Sequence, residues 1–355
     1  MTETLSVPPR NYRAVVLWLA VLYGMVFLMV IIGGITRLTG SGLSMVEWHP
    51  LMGALPPLTH EAWLEVFAKY KATPQYEQVN HWMELKDFKS IFLWEYIHRL
   101  FGRLLGVVFF IPWVILIRRK HLTGRLARHT AVAFVMGGLQ GVLGWYMVQS
   151  GLVEVPEVSH YRLAAHLGLA LLVAQYLLWI LLDLSPKGRG PSWNPRIRKG
   201  AWALVGLISL QTLYGAFMAG RRAGWLSSTF PDMNGSMIPT GWWALTPGWR
   251  NLVANDLTIH FVHRSLGWLT VAAALTFCAW ARRHAETPRQ RWAVHLLIGL
   301  PLLQFGLGAA TVILGVPTSV AVTHQACGAL LLSASVFAAH SFSERARSNP
   351  YEQAG

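Results

Sequence analysis

The chain has 355 residues, of which 54% are hydrophobic and only 13% charged, with 17 tryptophans and a formal net charge of +14. That profile excludes an ordinary soluble domain and a disordered chain, and it fits a polytopic membrane protein. The excess lysine and arginine is scattered over the junctions between apolar runs, so a nucleic-acid groove, which needs a clustered basic face, is excluded too.

Apolar runs of about 20 residues predict eight transmembrane helices, near 15–36, 91–117, 128–149, 161–183, 199–220, 256–281, 291–314 and 319–340. The leading MTETLSVPPRNYR is too short and too polar for a cleaved signal or an organellar transit peptide. Arg10 and Arg13 precede the first span, and Arg118, Arg119, Lys120, Arg125 and Arg128 join the second to the third. Lys187, Arg189, Arg196, Arg198 and Lys199 join the fourth to the fifth; Arg282, Arg283, Arg289 and Arg291 join the sixth to the seventh; Arg345 and Arg347 follow the eighth. The positive-inside rule puts these segments and both termini in the cytoplasm, and a bacterial inner membrane is the simplest location. The other side carries two long segments, 37–90 and 221–254. The first contains Glu47, Glu61, Glu65, Glu77, Glu84 and Asp87, turns rich in Gly and Pro, and the amphipathic EAWLEVFAKY, and is expected to act as a lid or docking surface. Cys278 and Cys327 differ in depth by roughly 20 Å at about 1.5 Å per residue, too far for a disulfide.

The chain repeats itself. EYIHRLFG at 95–102 returns as HFVHRSLG at 260–267, LQGVLG at 139–144 as LQFGLG at 303–308, and RLAAHLGLALL at 162–172 answers VAVTHQACGALL at 320–331, at offsets of 165, 164 and 158. GGITRLTGSGLSMVEWHP also matches GAFMAGRRAGWLSSTFP loosely, with Pro50 and Pro231 in register. The predicted fold is an all-α integral membrane protein whose eight transmembrane helices form two four-helix bundles, 1–185 and 195–345, related by a pseudo-two-fold axis along the membrane normal.

His98, His166, His263 and His324 stand five to eight residues inside the predicted outer ends of the even-numbered spans, roughly 10 Å below the interface. Ionisable groups inside a membrane are expensive and mark function. Zinc takes four N, S or O ligands, and no Cys or Asp stands beside these positions. Two imidazoles from facing helices suit the axial positions of a heme in a bundle core. Glycines near them, among them Gly102, Gly106, Gly144, Gly168, Gly267, Gly308 and Gly328, permit close approach but are common in membrane packing anyway. Arg99 and Arg264 each follow a histidine and are expected to pair with a heme propionate, the alternative being a snorkelling arginine. Glu95 shares a helix face with His98, either as a proton donor or acceptor at the ring or as a partner of Arg99 or Arg103. His260 takes the register of Glu95 in the second half, and His160 has no repeat partner.

GGITRLTGSGLSMVEWHPLMGALPP, EYIHRLFGR, QSGL with VSHYRLAAHLG, FVHR and VTHQACGALL together resemble the heme A synthase family over about residues 15–340. The resemblance implies oxidation of the C8 methyl of heme O to a formyl group, giving heme A for cytochrome c oxidase. It further implies heme B as cofactor on His263 and His324, the substrate heme between His98 and His166, and a catalytic Glu95. One branch of that family carries a cysteine pair in the first outer loop; this chain has none there and is similar to the proteobacterial and mitochondrial branch. Implied partners are heme O synthase, cytochrome c oxidase assembly factors, an external electron donor such as a ferredoxin and the lipid bilayer; a homo-oligomer is compatible with the reading. The main alternative is a di-heme cytochrome b exchanging electrons with quinone, and a second is a transporter of parallel repeats.

Overall fold

The computed structural model describes residues 12–47, 55–152, 156–185 and 194–343. The expected positions of both termini, of Arg10, Lys187, Arg189, Arg345 and Arg347, and of the turn around Pro50 lie outside the described residues. Among the described residues ten α-helices follow one another: α1 Tyr12–Leu38, α2 His60–Lys71, α3 Leu85–Arg118, α4 Gly124–Gln149, α5 His160–Leu184, α6 Pro195–Gly220, α7 Asn251–Ala254, α8 Asp256–Ala281, α9 Pro288–Ile313 and α10 Thr318–Ser341. All but α2 and α7 are long and apolar enough to cross a membrane, so the eight predicted spans are all present. Among the described residues there is no β-strand.

Local signals set the helix ends. Thr59 caps α2 by accepting from the Ala62 amide, Asn194 and Pro195 open α6, and a Thr287–Gln290 capping box opens α9. The largest boundary difference is at α3, which starts at Leu85 rather than near 91. A Glu84–Asp87 capping box begins it early, and its first turns carry Phe88, Ile91 and Phe92 into an aromatic cluster with Phe67 and Tyr70 of α2. Phe88 stacks on Phe67 and on Tyr70 at 5.0 Å in each case. The amphipathic segment of the first long loop is therefore a helix docked on an extension of α3.

Helix α1 packs on α3 and α5, and α4 on α3 and α5; α6 packs on α8 and α10, and α9 on α8 and α10. Two apolar clusters follow that division. One is built from α1, α3, α4 and α5, with Leu19, Leu22, Leu126 and Leu177 fully enclosed; the other comes mainly from α6, α8, α9 and α10, around Ile197, Ala274, Leu297 and Ala338. Helices α5 and α6, α1 and α10, and α5 and α10 join the two sets. In lipid this seam gains no hydrophobic drive and relies on packing and polar bonds. Gln325 donates to the Val30 carbonyl at 2.7 Å, Tyr23 to Ser333 at 2.9 Å and Gln175 to Ser333 at 3.1 Å. At the short-loop side His340 bridges Asp183 at 3.0 Å and Arg289 at 2.9 Å. Small residues close the other end: a Cβ on Gly220 would fall 2.5 Å from the His160 Cβ, so α5 and α6 touch there through glycine. Cys278 and Cys327 are buried and free, as their depths require.

Candidate functional site

His98 on α3, His166 on α5, His263 on α8 and His324 on α10 are all half-buried and stand toward the long-loop side of their helices. Each faces a glycine on a neighbouring helix. A Cβ on Gly33 would lie 3.4 Å from His98 Nε2, and one on Gly144 would lie 3.0 Å from His166 Cε1. A Cβ on Gly215 would lie 3.4 Å from His263 Cε1, and one on Gly308 would lie 2.9 Å from His324 Cε1. The four helices of each set thus alternate glycine, histidine, glycine, histidine. Gly144 and Gly308 were visible in the repeat; Gly33 and Gly215 lie in the loosely matching segment and were missed. Gly106 and Gly168, counted with them from the sequence, and Gly306 have no neighbour within 4 Å of an added Cβ.

The His263 and His324 rings have centroids 6.4 Å apart at an interplanar angle of 87°. Two imidazoles bound to one metal atom at about 2 Å each would have ring centres roughly 6 Å apart once the ring radii are added. The His166 Nδ1 is buried with no hydrogen-bond partner among the described residues, and the His263 and His324 rings lie against the main chain of Gln211 and Gln304. Gln140 Nε2 holds the His166 carbonyl at 2.9 Å, and Gln211 Nε2 holds that of His263 at 3.1 Å. Among the described residues no group of three or more His, Cys, Asp or Glu side chains could form a cage for an ion. Paired imidazoles, glycine-lined walls and no third ligand are the donor set of a six-coordinate heme, and the residues fit that group.

Glu95 lies one turn toward the long-loop side of His98 and is 2% exposed. Its Oε2 accepts from Ser44 Oγ at 2.7 Å and from the Met45 amide at 2.8 Å, and its Oε1 accepts from Arg99 Nη2 at 2.5 Å. Arg99 donates onward to the carbonyls of Met45 at 2.8 Å and Glu47 at 2.9 Å. The carboxylate is thus clamped between its own helix and the chain leaving α1. The second half repeats the clamp with a different acceptor. Arg264 Nε donates to His260 Nε2 at 2.9 Å, and its Nη1 to the carbonyls of Thr229 at 2.9 Å and Asp232 at 2.6 Å. Arg99 and Arg264, expected at a propionate, therefore have protein partners, and the Glu95–Arg99 pair is the alternative the sequence reading allowed. His160 is an inter-helix contact: its Nε2 donates to the Val253 carbonyl at 2.8 Å. Arg221, just past α6, pairs with Asp256 at 2.6 Å, a bond that raises its pKa further and ties the second long loop to the start of α8.

Residues 16–336 match the COX15-CtaA family, described as cytochrome oxidase assembly protein. The chain belongs to that family. Among curated relatives it is 43% identical over 332 residues to the heme A synthase of Nitrosomonas eutropha, covering 92% of this chain and 93% of that one. It is 45% identical over 322 residues to the heme A synthase of Rhodospirillum centenum, covering 90% and 86%, and 42% identical over 348 residues to that of a Bradyrhizobium strain, covering 96% and 94%. The four histidines, Glu95 and both arginine clamps lie within the matched span.

Proposed function

We propose that this chain is a heme A synthase, oxidising the C8 methyl group of heme O to a formyl group to give heme A for cytochrome c oxidase. The first half, 1–185, holds the substrate between His98 and His166, and the second, 195–345, holds heme B between His263 and His324. The observation that carries this division is the contrast between the clamps. Both halves present two half-buried imidazoles against glycine, but only the first has a carboxylate, Glu95, where the second has His260.

The reaction is two successive two-electron oxidations at one carbon, overall R–CH3 + O2 → R–CHO + H2O with dioxygen as the terminal oxidant, so protons must leave that carbon as C–O bonds replace C–H bonds. A bound heme B supplies one-electron redox chemistry beside the substrate. Glu95, three residues from His98 on the same helix face, takes the role of proton acceptor or of counter-charge to a developing cation. Ser44, the Met45 amide and Arg99 hold it in place with three donors, which fill most of the roughly four acceptor sites of a carboxylate. His260 in the same position accepts a hydrogen bond from Arg264 and holds no negative charge to offer.

By the positive-inside rule the long-loop side faces away from the cytoplasm, in a bacterial inner membrane with both termini cytoplasmic. Heme O synthase and oxidase assembly factors are the partners this reading implies, and an external electron donor such as a ferredoxin is compatible with it where dioxygen is the oxidant. Supplying heme O to the purified, lipid-reconstituted chain with a reductant and air, then separating the extracted pigments, tests the reading. Heme A or the alcohol intermediate is expected; a protein that is reduced and reoxidised by quinone while heme O stays unchanged would instead be a di-heme cytochrome b.

A further inference from the structure

We propose that Arg162, stacked on Tyr146, anchors the carboxylate rim of the porphyrin substrate and so sets which ring methyl meets Glu95. This rests on the reading that His98 and His166 hold that substrate. Arg162 stands four residues before His166 on α5, so the two share a helix face, with Arg162 about 6 Å nearer the long-loop side. Its guanidinium carbon lies 3.7 Å from the Tyr146 ring centroid, and its Nη1 donates to the Tyr146 carbonyl at 2.7 Å. These two contacts fix the guanidinium plane and use only one of its five N–H groups. Among the described residues no carboxylate pairs with it, and the edge bearing Nε and Nη2 is left for a bidentate carboxylate.

Arg99, a further cation near this histidine pair, is committed to Glu95 and to two loop carbonyls, and Arg103 lies one turn beyond it on α3. The repeat sharpens the contrast, because the residue four before His324 is Val320. A resident cofactor is oriented once. A substrate must be oriented at every turnover, and a porphyrin offers four similar edges. The propionates mark one of them, and the C8 methyl of heme O is the neighbour of a propionate, so a cation that takes that carboxylate also places that methyl. The first half has a cation at that position, and the second half has Val320.

Hemin and hemin dimethyl ester, titrated into the purified full-length chain and followed by the Soret band, test the proposal, with retained heme B reporting that each variant is folded. Arg162→Ala is expected to weaken hemin binding about ten- to hundred-fold, the equivalent of one lost charge-assisted bond. Arg162→Lys should recover part of the loss, keeping the charge without the planar fork. The diester should bind wild type and Arg162→Ala equally. Unchanged hemin affinity in Arg162→Ala, or an equal loss for the diester, would overturn the proposal. If His166→Ala also leaves hemin binding unchanged, the substrate-site reading fails with it; if only Arg162→Ala is silent, the anchor alone fails.

Discussion

Gly308→Ala tests the glycine-lined histidine pairs at their tightest point. The added methyl would sit 2.9 Å from His324 Cε1 and 3.6 Å from both ring nitrogens. Carbon atoms settle at about 3.5–4.0 Å, so the imidazole must retreat by roughly 0.6–1 Å. Metal–ligand bonds tolerate only about 0.2 Å, and disturbing what orients a metal ligand costs roughly 10–100-fold in affinity. Gly306 on the same helix is the control, because nothing lies within 4 Å of a Cβ there. Both changes gain the same helix propensity, about 1 kcal/mol, so their difference isolates the steric effect. Heme B per chain and the spin state of the iron, measured on purified protein, give the readout. Gly306→Ala should match wild type, while Gly308→Ala should lose heme B on washing or shift it to a high-spin spectrum. Full retention of low-spin heme B in Gly308→Ala would refute the reasoning.

His263→Ala and His324→Ala should each lose heme B, since either leaves the iron with one axial ligand; unchanged heme content and spectrum in both variants would remove the assignment. Ser44→Ala takes away the 2.7 Å bond to Glu95 and should lower the turnover rate about tenfold, as loss of a bond of about 1.4 kcal/mol would, with Ser44→Thr restoring most of it; an unaffected rate would show that the clamp does not position the carboxylate. Cysteines placed at Lys120 and Glu65 should react oppositely with an impermeant reagent in intact cells, only the second being accessible, and labelling at position 120 would reverse the topology.

Most of the fold could be read in the sequence because lipid imposes a simple rule: about 20 apolar residues per span. The start of α3 departed from it because Phe88 and Ile91 look like membrane residues while packing on α2 beyond the predicted span. The four histidines stood out because the repeat presents each pair twice, and the structure sets each against a glycine. Gly33 and Gly215 were not, since a glycine facing an imidazole on another helix looks the same in one dimension as a glycine facing lipid. The protein partners of the arginines were hidden for a subtler reason. Adjacency to His98 and His263 drew attention, yet neighbours in sequence point to different faces of a helix. The informative spacing was the four residues from Glu95 to Arg99 and from His260 to Arg264. The carbonyls of Met45, Glu47, Thr229 and Asp232 that complete the clamps lie tens of residues away and carry no side-chain signal. Arg162 could have been found by the same four-residue rule applied to His166.

The most direct measurement is the pigment made by Glu95→Gln and His260→Gln variants in cells that supply heme O. If chemistry occurs only in the first half, Glu95→Gln folds, keeps heme B and accumulates heme O or the alcohol, while His260→Gln still makes substantial heme A. Heme A at the normal rate from Glu95→Gln, or no conversion by a His260→Gln variant that retains heme B, would contradict it.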